Sequence, residues 1–119
     1  MTRTEHKTDK MEKGIALYNI ELDGCLNGVY TYDGINGTIL NEIARKKTKK
    51  DKGELCGIYD SSYFDTGNFR HKAILTIGEG EKGTYTFIWK VVGKEIVYEG
   101  TGYKMNEKQI VVKYEERKK

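Results

Sequence analysis

Short segments rich in Tyr, Ile, Val and Thr recur about eight times along this chain, divided by turns that carry Gly, Asn and Asp, and there is no proline. Eight strands in succession, joined by short connections, can pair in order as an antiparallel meander and close the last on the first. Alternation within the segments supports strands. In 15–22, Ala16, Tyr18, Ile20 and Leu22 are apolar while Asn19 and Glu21 between them are polar, the period of a strand with one buried face. Tyr85, Phe87, Trp89 and Val91 share a face in the same way. Gly93-Lys94 reads as a two-residue hairpin with Gly in the leading place, as a type II′ turn prefers. Gly100 and Gly102 would relieve crowding in a bent strand. The expected strands are 15–22, 28–33, 38–46, 54–64, 71–77, 84–92, 95–105 and 109–115. Segment 38–46 is ambiguous, because Ile39, Leu40, Ile43 and Ala44 would also line a helical face. It is short and bounded by turns, which favours a strand. The fold class is therefore all-β, an eight-stranded antiparallel up-and-down barrel, with a two-sheet sandwich as the alternative architecture.

A chain of 119 residues suits one domain. Residues 1–14 are charged and without period and are expected to form a disordered arm. Residues 15–115 make the barrel, and 116–119 a charged tail. The net charge of +3 is concentrated rather than spread: the run 45–52 has six basic residues against one acidic, and the strand-forming body is net negative. A broad nucleic-acid-binding face is not expected from that distribution. The lysine-rich run reads as a solvated hairpin tip. No stretch approaches the roughly 18 apolar residues of a membrane span, and the first residues lack a hydrophobic signal core. The expected location is the cytoplasm. Cys25 and Cys56 fit no metal-ligand spacing and are expected to be buried free thiols.

Two passages carry a resemblance. Leu26-Asn27-Gly28-Val29-Tyr30-Thr31-Tyr32-Asp33 resembles the opening Leu-x-Gly-x-Trp-x-Asn/Asp strand of avidins, with Tyr in place of Trp, and Gly57-Ile58-Tyr59 resembles their next unit. The run Gly83 to Trp89, followed by Gly100-Thr101-Gly102, is similar to the glycine–aromatic repeat of small lipocalin-like bacterial domains. The resemblance spans roughly residues 26–114 and implies a calycin-type barrel, with room for a ligand inside. It does not imply biotin, since the several Trp residues that wall an avidin pocket are missing and Trp89 stands alone.

The aromatic residues of the inner face would wall such a cavity, their hydroxyls and indole N–H orienting a partly apolar ligand. The wall residues chosen are Tyr30, Tyr59, Tyr85 and Trp89, with Ser61 as a polar anchor. Asp60, Ser61 and Ser62 lie mid-strand, and half of them must point inward, where a buried polar group needs a partner. The bland alternative is that these side chains simply fill a small barrel. His71 lies at a strand start and reads as a surface residue; no spacing suggests a Ser–His pair or a metal site. The expectation is a non-enzymatic module that binds a small, partly apolar molecule, with no cofactor, metal, nucleic acid or membrane. The alternative expectation is a barrel with a filled core that meets a protein partner or another copy of itself.

Overall fold

The computed structural model describes residues 12–35, 37–47 and 54–117. Eight strands follow in order: β1 Lys13–Ile20, β2 Leu26–Tyr32, β3 Leu40–Lys46, β4 Gly57–Phe64, β5 Arg70–Glu79, β6 Tyr85–Val91, β7 Val97–Asn106 and β8 Gln109–Glu116. Each pairs antiparallel with its neighbours in sequence, and β8 pairs with β1, so the sheet is one closed barrel and not a sandwich. Closure removes both free edges. Strands β1, β3, β5 and β7 run away from the end where Lys13 lies, here the near end; the other four return to it.

The register carries a single inner face around the barrel. Tyr18 lies opposite Gly28 on one side and Ile110 on the other, Glu42 opposite Tyr63, and Trp89 opposite Leu75 and Tyr98. These inward side chains are almost all buried, Tyr, Phe and Trp supplying most of the bulk. An eight-stranded barrel is just wide enough for side chains to fill. Large rings fit because glycines face them: a Cβ on Gly28 would stand 2.4 Å from the ring of Tyr18, and one on Gly102 would stand 2.7 Å from Phe87. Tyr18 and Phe87 then lie stacked with centroids 6.0 Å apart.

Segment 40–46 is the strand expected, with Leu40, Glu42 and Ala44 inward and Ile43 exposed, so the helical face seen in the sequence is split between two sides of the sheet. Every strand differs from expectation by one to three residues at one end or both, and β1 ends at Ile20, so Leu22 lies exposed in the following turn rather than on the inner face. β1 takes in Lys13 and Gly14 because they pair with β8 across the closure, and β8 takes in Glu116 because it pairs with Tyr98 on β7. β4 begins at Gly57 rather than 54: Leu55 instead turns over the far end, where its carbonyl accepts the Tyr59 hydroxyl at 2.6 Å. The turn after β6 is not the two-residue hairpin expected. Val91 N–H donates to the Ile96 carbonyl at 3.0 Å and Lys94 N–H to the Val91 carbonyl, so Gly93, with φ 80°, is the third residue of a turn within a four-residue loop. A left-handed conformation at that place selects glycine. The remainder of the arm and most of the lysine-rich run lie outside the described residues.

Candidate functional site

At mid-height in the barrel sits a carboxylate. Glu42 lies on β3 between Leu40 and Ala44, faces inward and is 1 % exposed. Three other strands donate to it. Tyr18 on β1 gives its hydroxyl to Oε1 at 2.6 Å, while Ser61 on β4 and Trp89 on β6 donate to Oε2 at 2.7 and 3.0 Å. Burial pushes the Glu42 carboxyl above its ordinary range, although all three donors pull it the other way. The Tyr18 hydroxyl is held well above its usual value by burial and by the Glu42 charge, so it remains a donor. A carboxylate met by three neutral donors ties four strands of the barrel together across its interior.

The five residues chosen from the sequence do not form one site. Ser61 and Trp89 meet at Glu42. Tyr30 lies nearer the near end, donates to the Phe64 carbonyl at 2.5 Å and sets its ring edge-on to Tyr63. Tyr59 is at the far end, its hydroxyl on Leu55 and pushed up to about 12 by burial. Tyr85, also at the far end, is half-buried opposite Gly102. Of the three mid-strand polar residues only Ser61 turns inward; Asp60 pairs with Lys47 at 3.9 Å on the outer wall and Ser62 accepts from Arg70 at 3.1 Å. Glu42 escaped the sequence reading, although strand alternation places a charged residue between two apolar ones on the inner face.

The near end has a different lining. Glu12 precedes β1, and the Glu116 amide donates to its carbonyl at 2.8 Å. Glu116 lies opposite Tyr98, so two carboxylates and a tyrosine stand side by side on β7, on β8 and just before β1. All three side chains are buried. The Tyr98 ring packs edge-on to Tyr114 at 6.1 Å, and its hydroxyl has no hydrogen-bond partner among the described residues. Burial raises the hydroxyls of Tyr32, Tyr63, Tyr98 and Tyr114, and the Glu12 charge adds to the rise in every one, which places that carboxylate within electrostatic reach of all four. His71 belongs here too, half-buried rather than on the surface. It stacks on Tyr63 at 5.2 Å and meets Asp65 at 2.8 Å. The Asp65 carboxyl falls below its ordinary range because His71 and the amides of Phe69 and Gly67 hydrogen-bond to it, which outweighs its partial burial. A cleft of about 580 Å³ opens at this end, between the start of β1 and the β2–β3 connection, with Lys13, Thr31, Tyr32 and Asp33 on its walls.

The arrangement holds buried hydroxyls and carboxylates against aromatic rings. Ser61 is bound to Glu42 and Ser62 to Arg70, so neither serine is turned to the His71–Asp65 pair. Among the described residues no group of His, Cys, Asp and Glu is disposed to hold a metal ion. Cys25 and Cys56 are free thiols but only partly buried, because both lie in connections at the far end rather than on the inner face. Lys46, from the basic run, donates to the Glu54 carbonyl and stands over the Tyr59 ring at 5.8 Å. No family model, curated protein or solved structure matches this chain. The closed eight-stranded meander is compatible with the calycin-like fold that the glycine–aromatic passages imply, and the resemblance extends to that architecture.

Proposed function

We propose that this barrel is a non-enzymatic binding module that holds a small, partly apolar molecule inside its near end. One observation carries the reading: the Tyr98 hydroxyl is buried and has no partner, whereas the inward polar groups of Tyr18, Tyr30, Tyr59, Ser61 and Trp89 all have one. Leaving a hydroxyl buried and unpaired costs about 1–3 kcal/mol. A ligand acceptor or donor at that place would remove the cost. Neighbouring aromatic rings supply the apolar wall. Two free thiols fit a reducing compartment, and we place the module in the cytoplasm.

Native mass spectrometry of the purified protein, gentle and then denaturing, tests the reading. Release of a molecule of defined mass, with weaker retention in Tyr98→Phe, is the expected result. A clean apo mass that gains nothing from a metabolite extract would sink it.

A second reading has its own observation. On the outer wall Tyr103, Val111, Leu17 and Val29 fall in one register row across β7, β8, β1 and β2, with Tyr103 46 % and Val29 38 % exposed. An apolar row on four neighbouring strands suits contact with a protein partner or a second copy. Light scattering across a concentration series separates the readings, since self-association broken by Val29→Lys with the interior untouched favours the second.

A further inference from the structure

We infer that the outer wall over β7, β8, β1, β2 and β3 is the contact face for a second copy of this chain, which meets its own counterpart about a two-fold axis. The inference rests on the second reading above, that the apolar row is a contact surface, and commits its occupant. Charge, amide chemistry and area point to that occupant.

The row Tyr103, Val111, Leu17 and Val29 continues onto β3 at Asn41. Toward the far end the next outward row is Gln109, Asn19, Asn27 and Ile43; toward the near end it is Thr101, Lys113, Ile15 and Thr31. All of these residues are exposed or half-buried. Lys113, at the near margin, is the one charged residue in the three rows, although 33 % of the chain is charged. On the opposite wall Asp60, Arg70, Lys72 and Lys90 are all exposed. In a two-fold contact a patch meets itself, so a charge on it faces its own sign. A wall cleared of charge avoids that repulsion. A partner selected by complementary charge would find almost nothing here to pair with.

The polar groups that remain are of a self-complementary kind. A carboxylate only accepts and an ammonium only donates, whereas a carboxamide does both and can pair with a copy of itself. In the far row Gln109 Nε2 donates to Asn19 Oδ1 at 3.2 Å, and Asn27 stands opposite Asn19. Asn41 adds a further amide beside Val29. Past the near row the charges already hold one another, Lys13 with Glu115 at 4.0 Å and Arg117 with Glu99, and form a rim. Five strands about 4.8 Å apart, crossed by three rows about 7 Å apart, make a face roughly 20 Å on a side. That footprint belongs with the smaller specific interfaces, so the dimer forms and parts in the micromolar range.

The test is sedimentation velocity of the full chain at pH 7, from about 1 to 200 µM. The result expected is a mass that rises from one chain to two and stops there, with little dependence on added salt. Val29→Lys and Asn27→Asp should each weaken the dimer at least tenfold, because each sets a charge against its own copy. Thr76→Lys, on the opposite wall, should leave it unchanged. Unaltered near-ultraviolet circular dichroism shows that each variant is folded. A dimer indifferent to both Val29→Lys and Asn27→Asp places the second copy elsewhere, which overturns the inference and removes the contact reading of the row. A mass that grows past two overturns the two-fold contact. A monomer at every concentration overturns the second copy as occupant; the row then remains a contact face only if Val29→Lys, and not Thr76→Lys, loses a protein that the wild-type chain retains from a cell extract.

Discussion

The two ends of this barrel are built from the same residue types and finished differently. At the far end and the centre, inward polar groups close on the protein itself: Tyr59 on the Leu55 carbonyl, and Tyr18, Ser61 and Trp89 on Glu42. At the near end Tyr98 has no such partner, although its ring is as buried as that of Tyr59. The difference comes from what returns over each end. The segment before β4 folds back over the far end and brings a backbone carbonyl to Tyr59, whereas the near end brings together carboxylates and tyrosines from β7, β8 and the residue before β1. A satisfied polar core holds one arrangement rigidly, whereas a buried hydroxyl without a partner carries a cost that the fold has not met.

The contrast can be tested by substitution. The largest effect falls at the centre. Trp89→Ala removes the biggest buried side chain and one donor to Glu42, and should cost about 3–5 kcal/mol in urea unfolding, a large share of the stability of a domain this size. A loss under about 1 kcal/mol would mean that the interior is not packed around it. Glu42→Gln should cost about 1–3 kcal/mol by turning an amide N–H toward a donor.

The same residue sets a pH dependence. The folded-state carboxyl is raised, so the native protein holds its proton where the unfolded chain has lost it. Stability from this group is complete below its ordinary value of 4.5 and declines as pH rises through the interval above it. Asp65, lowered from 3.8, acts in the opposite sense and in a lower interval, stabilising the fold as pH rises there. Melting temperatures of the wild type and Glu42→Gln, measured from pH 4 upward, should therefore differ in slope. Parallel curves would show that Glu42 does not titrate differently in the two states.

The smallest effects sharpen the comparison most. Tyr59→Phe leaves a backbone carbonyl without its hydroxyl and should cost about 1 kcal/mol, while Tyr98→Phe removes an unpaired buried hydroxyl and should be neutral or stabilising. Equal losses in the two variants would erase the distinction between the ends.

Much of the wall was legible beforehand. Alternation in Tyr85, Phe87, Trp89 and Val91, and in Ala16 and Tyr18, identified inward faces correctly because a strand's period of two is local. The carboxylate centre was within reach of the same logic. In segment 38–46 the apolar residues dominate the pattern, yet the period of two that turns Leu40 and Ala44 inward turns Glu42 inward with them. The near end was beyond local reasoning: Glu12 and Glu116 sit in stretches that look like a charged arm and tail, where nothing in the sequence marks them for burial.

The sequence by itself determined that the chain forms about eight one-faced strands, and that short connections make neighbours pair in order. Both follow from the side-chain period and from turn chemistry, which act over a few residues. Only the tertiary structure decided which polar groups meet. Pairing of β8 with β1 brings Glu116 beside Glu12 across almost the whole chain, and curvature carries Tyr18, Ser61 and Trp89 to one carboxylate from three separate strands. Those contacts depend on closure and register, which belong to the sheet as a whole.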